Sequence, residues 1–94
     1  MKGNKVVIEK LNLLLAGELA GIDQYFIHSR MYKKFGYKRL YTRIDQEINE
    51  EQEHASLLID RILFLGGTPR MDKRVPVHIG NVVSEMLRND LDFE

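Results

Sequence analysis

The sequence predicts an all-α fold, in which two long antiparallel helices and the start of a third form part of a four-helix bundle. Apolar residues recur three and four positions apart over long stretches without proline, which is the spacing of one helix face. A short turn and one long Pro/Gly-rich segment divide the 94 residues into three such stretches. A chain of this length makes one domain at most, so we expect a single domain over residues 1–94 that is incomplete as a bundle.

The first helix is predicted over about residues 5–35. Asn4 is a suitable N-cap and Gly36 a suitable stop, and no proline interrupts the stretch between them. A helix of roughly thirty residues spans about 45 Å, which is long for so small a domain. Its predicted buried stripe consists of Leu11, Leu14, Leu15, Ile22, Tyr25 and Phe26.

A second helix is predicted over about residues 38–65, and the pair Gly66 and Gly67 ends it. Because the link "FGYK" is short, we expect the two helices to fold back on each other as an antiparallel hairpin. The buried stripe of this helix is predicted to consist of Leu40, Ile44, Ile48, Ala55, Leu58, Ile62 and Leu65.

A long connection over residues 66–80 contains both prolines of the chain, and both prolines and glycines disfavour helix. Asn81 can cap the start of a third helix over residues 82–94, in which Val83, Leu87 and Leu91 share a face. Two amphipathic helices cover only each other's stripe and need two more helices to close a core. We therefore expect either pairing with a second copy or a place in the first part of a longer fold.

Composition excludes several classes of function. Fourteen basic and fourteen acidic residues cancel, so no overall field attracts nucleic acid or an anionic membrane. The absence of cysteine removes disulfides, thiolate metal sites and cysteine nucleophiles. No apolar run approaches the roughly 20 residues of a bilayer span, and "MKGNKVVIEK" lacks the apolar core of a signal peptide. These features predict a cytoplasmic protein with no nucleic-acid or membrane partner.

Three carboxylates lie in line with predicted apolar stripes. Glu18 has leucines, an isoleucine and a tyrosine at the helical offsets of three, four and seven, and Glu94 follows the third-helix stripe. Glu51 lies in the stripe of the second helix, whereas Glu53 has polar neighbours and is predicted to face water. Two further acidic residues, Glu47 and Glu50, are predicted at the edge of that stripe.

A buried carboxylate without a partner is costly, and the lysines and arginines lie mostly off these stripes. A divalent cation is an economical partner, because it neutralises two carboxylates at once. Glu51 and His54 form a Glu-x-x-His pair, which together with a Glu from another helix is the ligand pattern of di-iron carboxylate bundles. Oxygen and imidazole ligands favour iron or manganese, with zinc as a competitor. His28, beside Gln24 and Tyr32, is interpreted as an inner-surface or packing histidine and not as a metal ligand.

The segments "MKGNKVV", "LNLLLAGELAGIDQYFIHSRMYKKFGYKRL", "EEQEHA", "IDRILFLGGTP" and "IGNVVSEMLRNDL" resemble the first two helices, the connecting loop and the start of the third helix of the bacterioferritins. The similarity covers essentially the whole chain without an offset. It implies a ferritin-like subunit of a hollow iron-storing cage, built from identical or related subunits. It also implies a ferroxidase, in which O₂ or H₂O₂ oxidises Fe²⁺ at a di-iron centre before the mineral forms.

The resemblance also assigns roles to residues. Glu18 would be a terminal ligand of one iron ion, Glu51 a bridging carboxylate and His54 an imidazole ligand. Glu94 would be a terminal ligand of the second iron ion, and Tyr25 would lie beside the centre as a further catalytic residue.

Two features depart from the family pattern. Gln52 stands where haem-binding members have the methionine that ligates haem between paired subunits. A glutamine amide is a poor substitute for that thioether, which puts haem binding in doubt and resembles the subunit type that lacks this methionine. The family's fourth helix, with a second bridging Glu and a second His, has no counterpart in the 94 residues.

Two other functions fit the same residues. Two copies of the chain could pair as a truncated half-ferritin, a metal-bound homodimeric bundle in which Glu18, Glu51 and His54 each occur twice. Alternatively, the chain could be a non-catalytic helical interaction module whose stripes dock on a partner and whose carboxylates pair with that partner's arginines.

Overall fold

The computed structural model describes residues 4–70, 80 and 83–93. It contains three α-helices: α1 over Lys5–Phe35, α2 over Lys38–Phe64 and α3 over Val83–Phe93. These bounds lie within one residue of the predicted ones, and the all-α fold class is confirmed. Asn81, predicted to cap α3, lies outside the described residues, as do residues 71–79 of the predicted connection.

Local chemistry sets both ends of α1. The side chain of Asn4 accepts a hydrogen bond of 2.7 Å from the backbone N–H of Val6, which satisfies one of the free donors of the first turn. At the other end Gly36 adopts the left-handed conformation with φ of 84°, and its N–H is directed at the carbonyls of Lys33 and Tyr32. The helix therefore stops where the hairpin turn begins.

The two long helices pack against each other as an antiparallel hairpin with two clusters of buried side chains. The turn-side cluster lies next to the turn at residues 36–37, and the terminus-side cluster lies at the far end of the hairpin. The buried members of the turn-side cluster are Tyr25, Tyr32, Ile44 and Met86. Those of the terminus-side cluster are Leu15, Ala55 and Ile62. Burial of these apolar side chains stabilises the hairpin.

Polar contacts supplement this packing at both ends of the hairpin. Near the turn, the carboxylate of Asp45 on α2 accepts a hydrogen bond of 2.6 Å from the Ser29 hydroxyl and one of 3.4 Å from Arg30. At the other end, the amide of Asn12 donates to the carbonyl of Thr68 and accepts from the N–H of Arg70. The segment after α2 is thereby fastened to the first turns of α1.

Every residue of the predicted α2 stripe is at least partly buried, but the predicted stripe of α1 includes residues that are exposed. Leu14 is 59 % exposed and Phe26 is 54 % exposed. Leu14 points to a flank that no described helix covers. In the second half of α1 the buried face turns toward Gln24, His28 and Tyr32, because α3 packs there as well as α2, and Phe26 is left outside.

The third helix also differs from its predicted face. Met86 is fully buried and Asp90 is buried with it, whereas Leu87 is 39 % exposed. Residues four apart lie on one side of a helix, so α3 turns its Met86 and Asp90 side toward α1 instead of its Leu87 side.

Among the described residues, no helix combines the length and the hydropathy that crossing a bilayer requires.

Candidate metal centre

The predicted ligands lie near the middle of the two long helices. Glu18 lies on α1 between Leu15 and Tyr25, and Glu51 lies on α2 between Ile44 and Ala55. The two helices are antiparallel, and each cluster joins one end of α1 to one end of α2. The middle of α1 therefore faces the middle of α2. His54 follows Glu51 by three residues and therefore projects from the same side of α2.

The structure brings these three side chains together. One ligand atom each from Glu18, Glu51 and His54 lies within 4.8 Å of the others. The Nδ1 atom of His54 is 3.7 Å from Oε2 of Glu18 and 3.8 Å from Oε1 of Glu51. Both separations are too long for a hydrogen bond. Two ligand atoms that each lie about 2.1 Å from one ion are separated by roughly 3.0 to 4.2 Å, so the two distances match shared coordination.

An unsatisfied oxygen is the clearest sign that this group accepts a ligand. Oε2 of Glu18 is buried and has no hydrogen-bond partner among the residues that the structure describes. A buried carboxylate oxygen without a donor is costly. Within the same described ranges, no lysine or arginine forms an ion pair with Glu18 or Glu51. Two negative charges therefore converge with only one imidazole beside them, and this set of ligand atoms fits a divalent cation.

The centre is more open than the predicted inward orientation of its ligands suggested. The side chains of Glu18 and Glu51 are 28 % and 22 % exposed, but that of His54 is 58 % exposed. Residues 4–70 and 83–93 thus leave the imidazole flank open to solvent. A hydrated ion can reach the group from this side.

Tyr25 and Glu94 are the other two predicted site residues. Tyr25 is buried in the turn-side cluster, seven residues after Glu18, which corresponds to about 10 Å along the helix axis. Glu94 lies outside the described residues, and its predicted ligand role is untested.

The other acidic residues of this part of α2 behave largely as their neighbours indicate. Glu53 is exposed, as predicted. Glu47 is partly buried, and its Oε1 lies 3.9 Å from Nε of Arg43, one turn earlier. Glu50 is exposed. Gln52 is exposed as well.

Sequence reasoning missed a second polar group, which joins α3 to α1. The carboxylate of Asp90 accepts hydrogen bonds from Gln24 at 2.9 Å and from His28 at 2.6 Å through Oδ1, and from the Tyr32 hydroxyl at 3.2 Å through Oδ2. All four side chains are buried. Gln24, His28 and Tyr32 are spaced four apart, so their common face was visible in the sequence.

The electrostatics of this group keep its tyrosine protonated. Burial raises the pKa of Tyr32 far above its ordinary value, and both the charge of Asp90 and its hydrogen bond with the hydroxyl add to the rise. Tyr32 therefore acts as a hydrogen-bond donor. Since the carboxylate accepts, Nδ1 of His28 carries the proton on that side, and its buried Nε2 has no partner among the described residues.

Comparison with known proteins gives a consistent result over the whole chain. The model of the ferritin-like domain matches residues 8–94. The chain is 60 % identical to a bacterial ferritin of Paramagnetospirillum magnetotacticum over 94 residues, which is 57 % of that protein's length. It is 55 % identical to a bacterial ferritin of Synechocystis and 43 % identical to a bacterioferritin of Brucella melitensis, covering 60 % and 58 % of those chains. The chain thus spans less than two thirds of the length of these relatives.

Proposed function

Because the chain belongs to the ferritin-like family, we propose that it takes part in iron storage by oxidising Fe²⁺ at the centre formed by Glu18, Glu51 and His54. The observation that carries the proposal is the convergence of these ligand atoms within 4.8 Å around an unsatisfied oxygen of Glu18. The relatives are named bacterial ferritin and bacterioferritin, which supports iron as the cargo.

Each side chain has a role in this proposal. Glu18 is a terminal ligand of one iron ion, His54 supplies an imidazole ligand, and Glu51 bridges two ions because its carboxylate has two acceptor oxygens. Glu94, which follows α3 in the sequence, is proposed as a further terminal carboxylate ligand. Oxygen and imidazole ligands of this kind, without thiolate, suit iron.

The chemistry follows from the charge of the ligands. Anionic carboxylates stabilise Fe³⁺ more than Fe²⁺, so they make the bound substrate easier to oxidise. In the reaction with peroxide, two Fe²⁺ ions lose one electron each, and H₂O₂ with two protons becomes two molecules of water. With O₂ as the oxidant, the same two electrons and two protons give H₂O₂.

Tyr25 is assigned a supporting catalytic role. It follows Glu18 by seven residues on the same side of α1, and it is 2 % exposed within the turn-side cluster. A buried phenol held by packing near a redox centre is a suitable site for electron transfer.

The proposed assembly is an oligomeric cage of identical or related subunits in the cytoplasm. Exposed apolar residues on both long helices, among them Leu13, Leu14, Phe26 and Leu57, support burial against further protein. Haem is not part of the proposal, because the exposed Gln52 offers an amide in place of a thioether.

The decisive experiment measures Fe²⁺ oxidation in the natural full-length protein by stopped-flow absorbance. Glu18→Ala and His54→Ala should each slow oxidation strongly, since each removes a ligand. Glu53→Ala removes an exposed carboxylate on α2, next to His54 but outside the group. It should leave the rate unchanged. Equal rates in all four proteins would refute the proposal.

A second arrangement of the same chemistry is the pairing of two copies of residues 1–94. The open flank of His54 and the exposed apolar side chains of both long helices favour it, since a second hairpin could cover both. Sedimentation of the 94-residue chain with and without Fe²⁺ or Mn²⁺ tests this arrangement. A metal-stabilised dimer would support it, and a monomer indifferent to metal would exclude it.

A further inference from the structure

We propose that the turn end of the hairpin binds a small phosphate-type oxyanion through cations in the first turns of α2. This inference does not depend on the metal centre. The chain as a whole is neutral, yet five basic residues lie within eleven positions around the turn, and no acidic residue lies among them. They are Lys33, Lys34, Lys38, Arg39 and Arg43. Like charges held this close repel one another, and a bound anion relieves the repulsion.

Three of these cations line a shallow concavity on the exposed side of α2. Its volume is about 350 Å³, and its lining residues are Lys38, Arg39, Thr42, Arg43 and Gln46. Their ammonium, guanidinium, hydroxyl and amide groups are all hydrogen-bond donors, and none of the five residues is acidic. A phosphate group accepts such donors at each of its oxygens, and one guanidinium can bind two of those oxygens at once.

The cations of the concavity are available to an external anion. In the part of the chain that the structure describes, neither Lys38 nor Arg39 forms an ion pair. Arg43 approaches Glu47 only through Nε, at 3.9 Å, and its side chain is 76 % exposed. An exposed ion pair at that separation contributes little, so it leaves the rest of the guanidinium free to bind a ligand.

The hairpin turn holds the two parts of this positive surface together. The backbone N–H of Tyr37 donates a hydrogen bond of 3.0 Å to the carbonyl of Tyr32, and the N–H of Tyr41 donates one of 3.0 Å to the carbonyl of Tyr37. The ammonium of Lys33 lies 5.5 Å from the centroid of the Tyr41 ring, so a cation at the end of α1 is held against α2. The charge of α1 therefore adds to that of the concavity.

The extent of the positive surface favours a small anion over a nucleic acid. The next lysine or arginine on α2 after Arg43 is Arg61, about 27 Å farther along the helix axis. The turns between them carry carboxylates instead, beginning with Glu47 and Glu50. An extended polyanion would lie against these carboxylates and be repelled, whereas a single phosphate group contacts only the cations.

Equilibrium dialysis of the metal-free natural full-length protein against ³²P-labelled inorganic phosphate tests the proposal. EDTA keeps the metal centre empty, and sodium chloride holds the ionic strength at about 0.15 M, where charges more than about 8 Å apart are largely screened. The parent should take up phosphate saturably. Arg39→Gln and Arg43→Gln should each weaken the affinity by about threefold, as expected for one exposed charged contact. The double variant should weaken it by roughly tenfold.

Arg61→Gln is the matched control, because it removes an exposed arginine of α2 that lies outside the concavity. It should leave the affinity unchanged. Both Arg39 and Arg43 are exposed, so their variants should fold as the parent does, and circular dichroism checks this. A short fluorescent DNA duplex, followed by anisotropy in the same buffer, should not bind.

Three outcomes would overturn the inference. Absence of saturable phosphate uptake by the parent would show that no such site exists. An equal loss of affinity in Arg61→Gln and Arg43→Gln would mean that phosphate responds to net charge alone. Duplex binding that the double variant abolishes would identify the surface as a nucleic-acid site instead. Because no iron is present, none of these results bears on the proposed oxidation of Fe²⁺.

Discussion

The Nδ1 atom of His54 on α2 lies 3.7 Å from Oε2 of Glu18 on α1, an oxygen that has no hydrogen-bond partner among the described residues. The same nitrogen is 3.8 Å from Oε1 of Glu51. The imidazole therefore presents Nδ1 to both carboxylates. If the proposed centre binds a metal ion, this geometry predicts that Nδ1 is the ligand atom of His54.

Zn²⁺ should bind to His54 through Nδ1. In protein labelled with ¹⁵N-histidine, the Nδ1 resonance of His54 should shift on addition of Zn²⁺, because the ion replaces solvent at that nitrogen. His28 is an internal control, since its Nδ1 is already bound to Asp90 at 2.6 Å and its resonances should stay in place. A shift confined to Nε2 of His54 would contradict the observed ring orientation.

Glu18→Gln should stabilise the metal-free protein while weakening metal binding. The variant removes one of two carboxylates that converge without a lysine or arginine partner in the described ranges. Both are partly exposed, so solvent screening limits the gain in the free energy of unfolding to about 1 kcal/mol. Denaturant unfolding with EDTA, and again with excess Mn²⁺, measures both effects.

The expected difference in the free energy of unfolding between Glu18→Gln and the parent has opposite signs in EDTA and in Mn²⁺. With Mn²⁺ the parent gains stability by mass action and Glu18→Gln gains much less. Glu53→Gln is the matched control, because Glu53 is exposed and lies outside the group, and it should behave as the parent does in both buffers. A Glu18→Gln protein that is destabilised in EDTA would mean that the carboxylate has a stabilising partner.

The helices and the convergence of Glu18, Glu51 and His54 were predictable because local chemistry sets them. Asn4 and Gly36 end α1 through their own capping contacts, and a Glu-x-x-His pair shares one helix face whatever surrounds it. The short turn then places Glu18 opposite that pair. None of these features depends on knowing the rest of the fold.

The orientation of α3 was not predictable in the same way. It depends on hydrogen bonds between residues 58 to 66 positions apart, such as that between His28 and Asp90. Apolar periodicity favoured the burial of Leu87. The hydrogen bonds that Asp90 accepts instead turn α3 so that Met86 is buried. Phe26 was misplaced for the same reason, because the contact of α3 with α1 decides which side of that helix is buried.

Gly36→Ala should destabilise the hairpin by about 1 kcal/mol, since an alanine adopts the left-handed conformation at φ of 84° only with strain. Gly17→Ala is the matched comparison: it lies inside α1, and an added methyl group would meet no atom within 4 Å. That change should raise the free energy of unfolding by about 1 kcal/mol through helix propensity. Thermal unfolding followed by circular dichroism compares the two, and equal effects would contradict the assigned roles.

Stability should fall at alkaline pH through Tyr32. Burial raises the pKa of this phenol, with the Asp90 charge adding to the effect, so the folded protein holds the proton more tightly than the unfolded chain does. The resulting contribution is fully present below the unfolded value of about 10 and is lost as the pH rises from there through the folded-state value. Tyr32→Phe lacks the ionisable group and should show a shallower decline.

Urea unfolding between about pH 8 and pH 11 measures this difference. Tyr37→Phe provides the control, because Tyr37 is 48 % exposed and lies at the hairpin turn, so its decline should follow that of the parent. At neutral pH Tyr32→Phe should be less stable than the parent, since Oδ2 of Asp90 loses a buried donor. An alkaline decline that is identical in the parent and in Tyr32→Phe would show that another group titrates there.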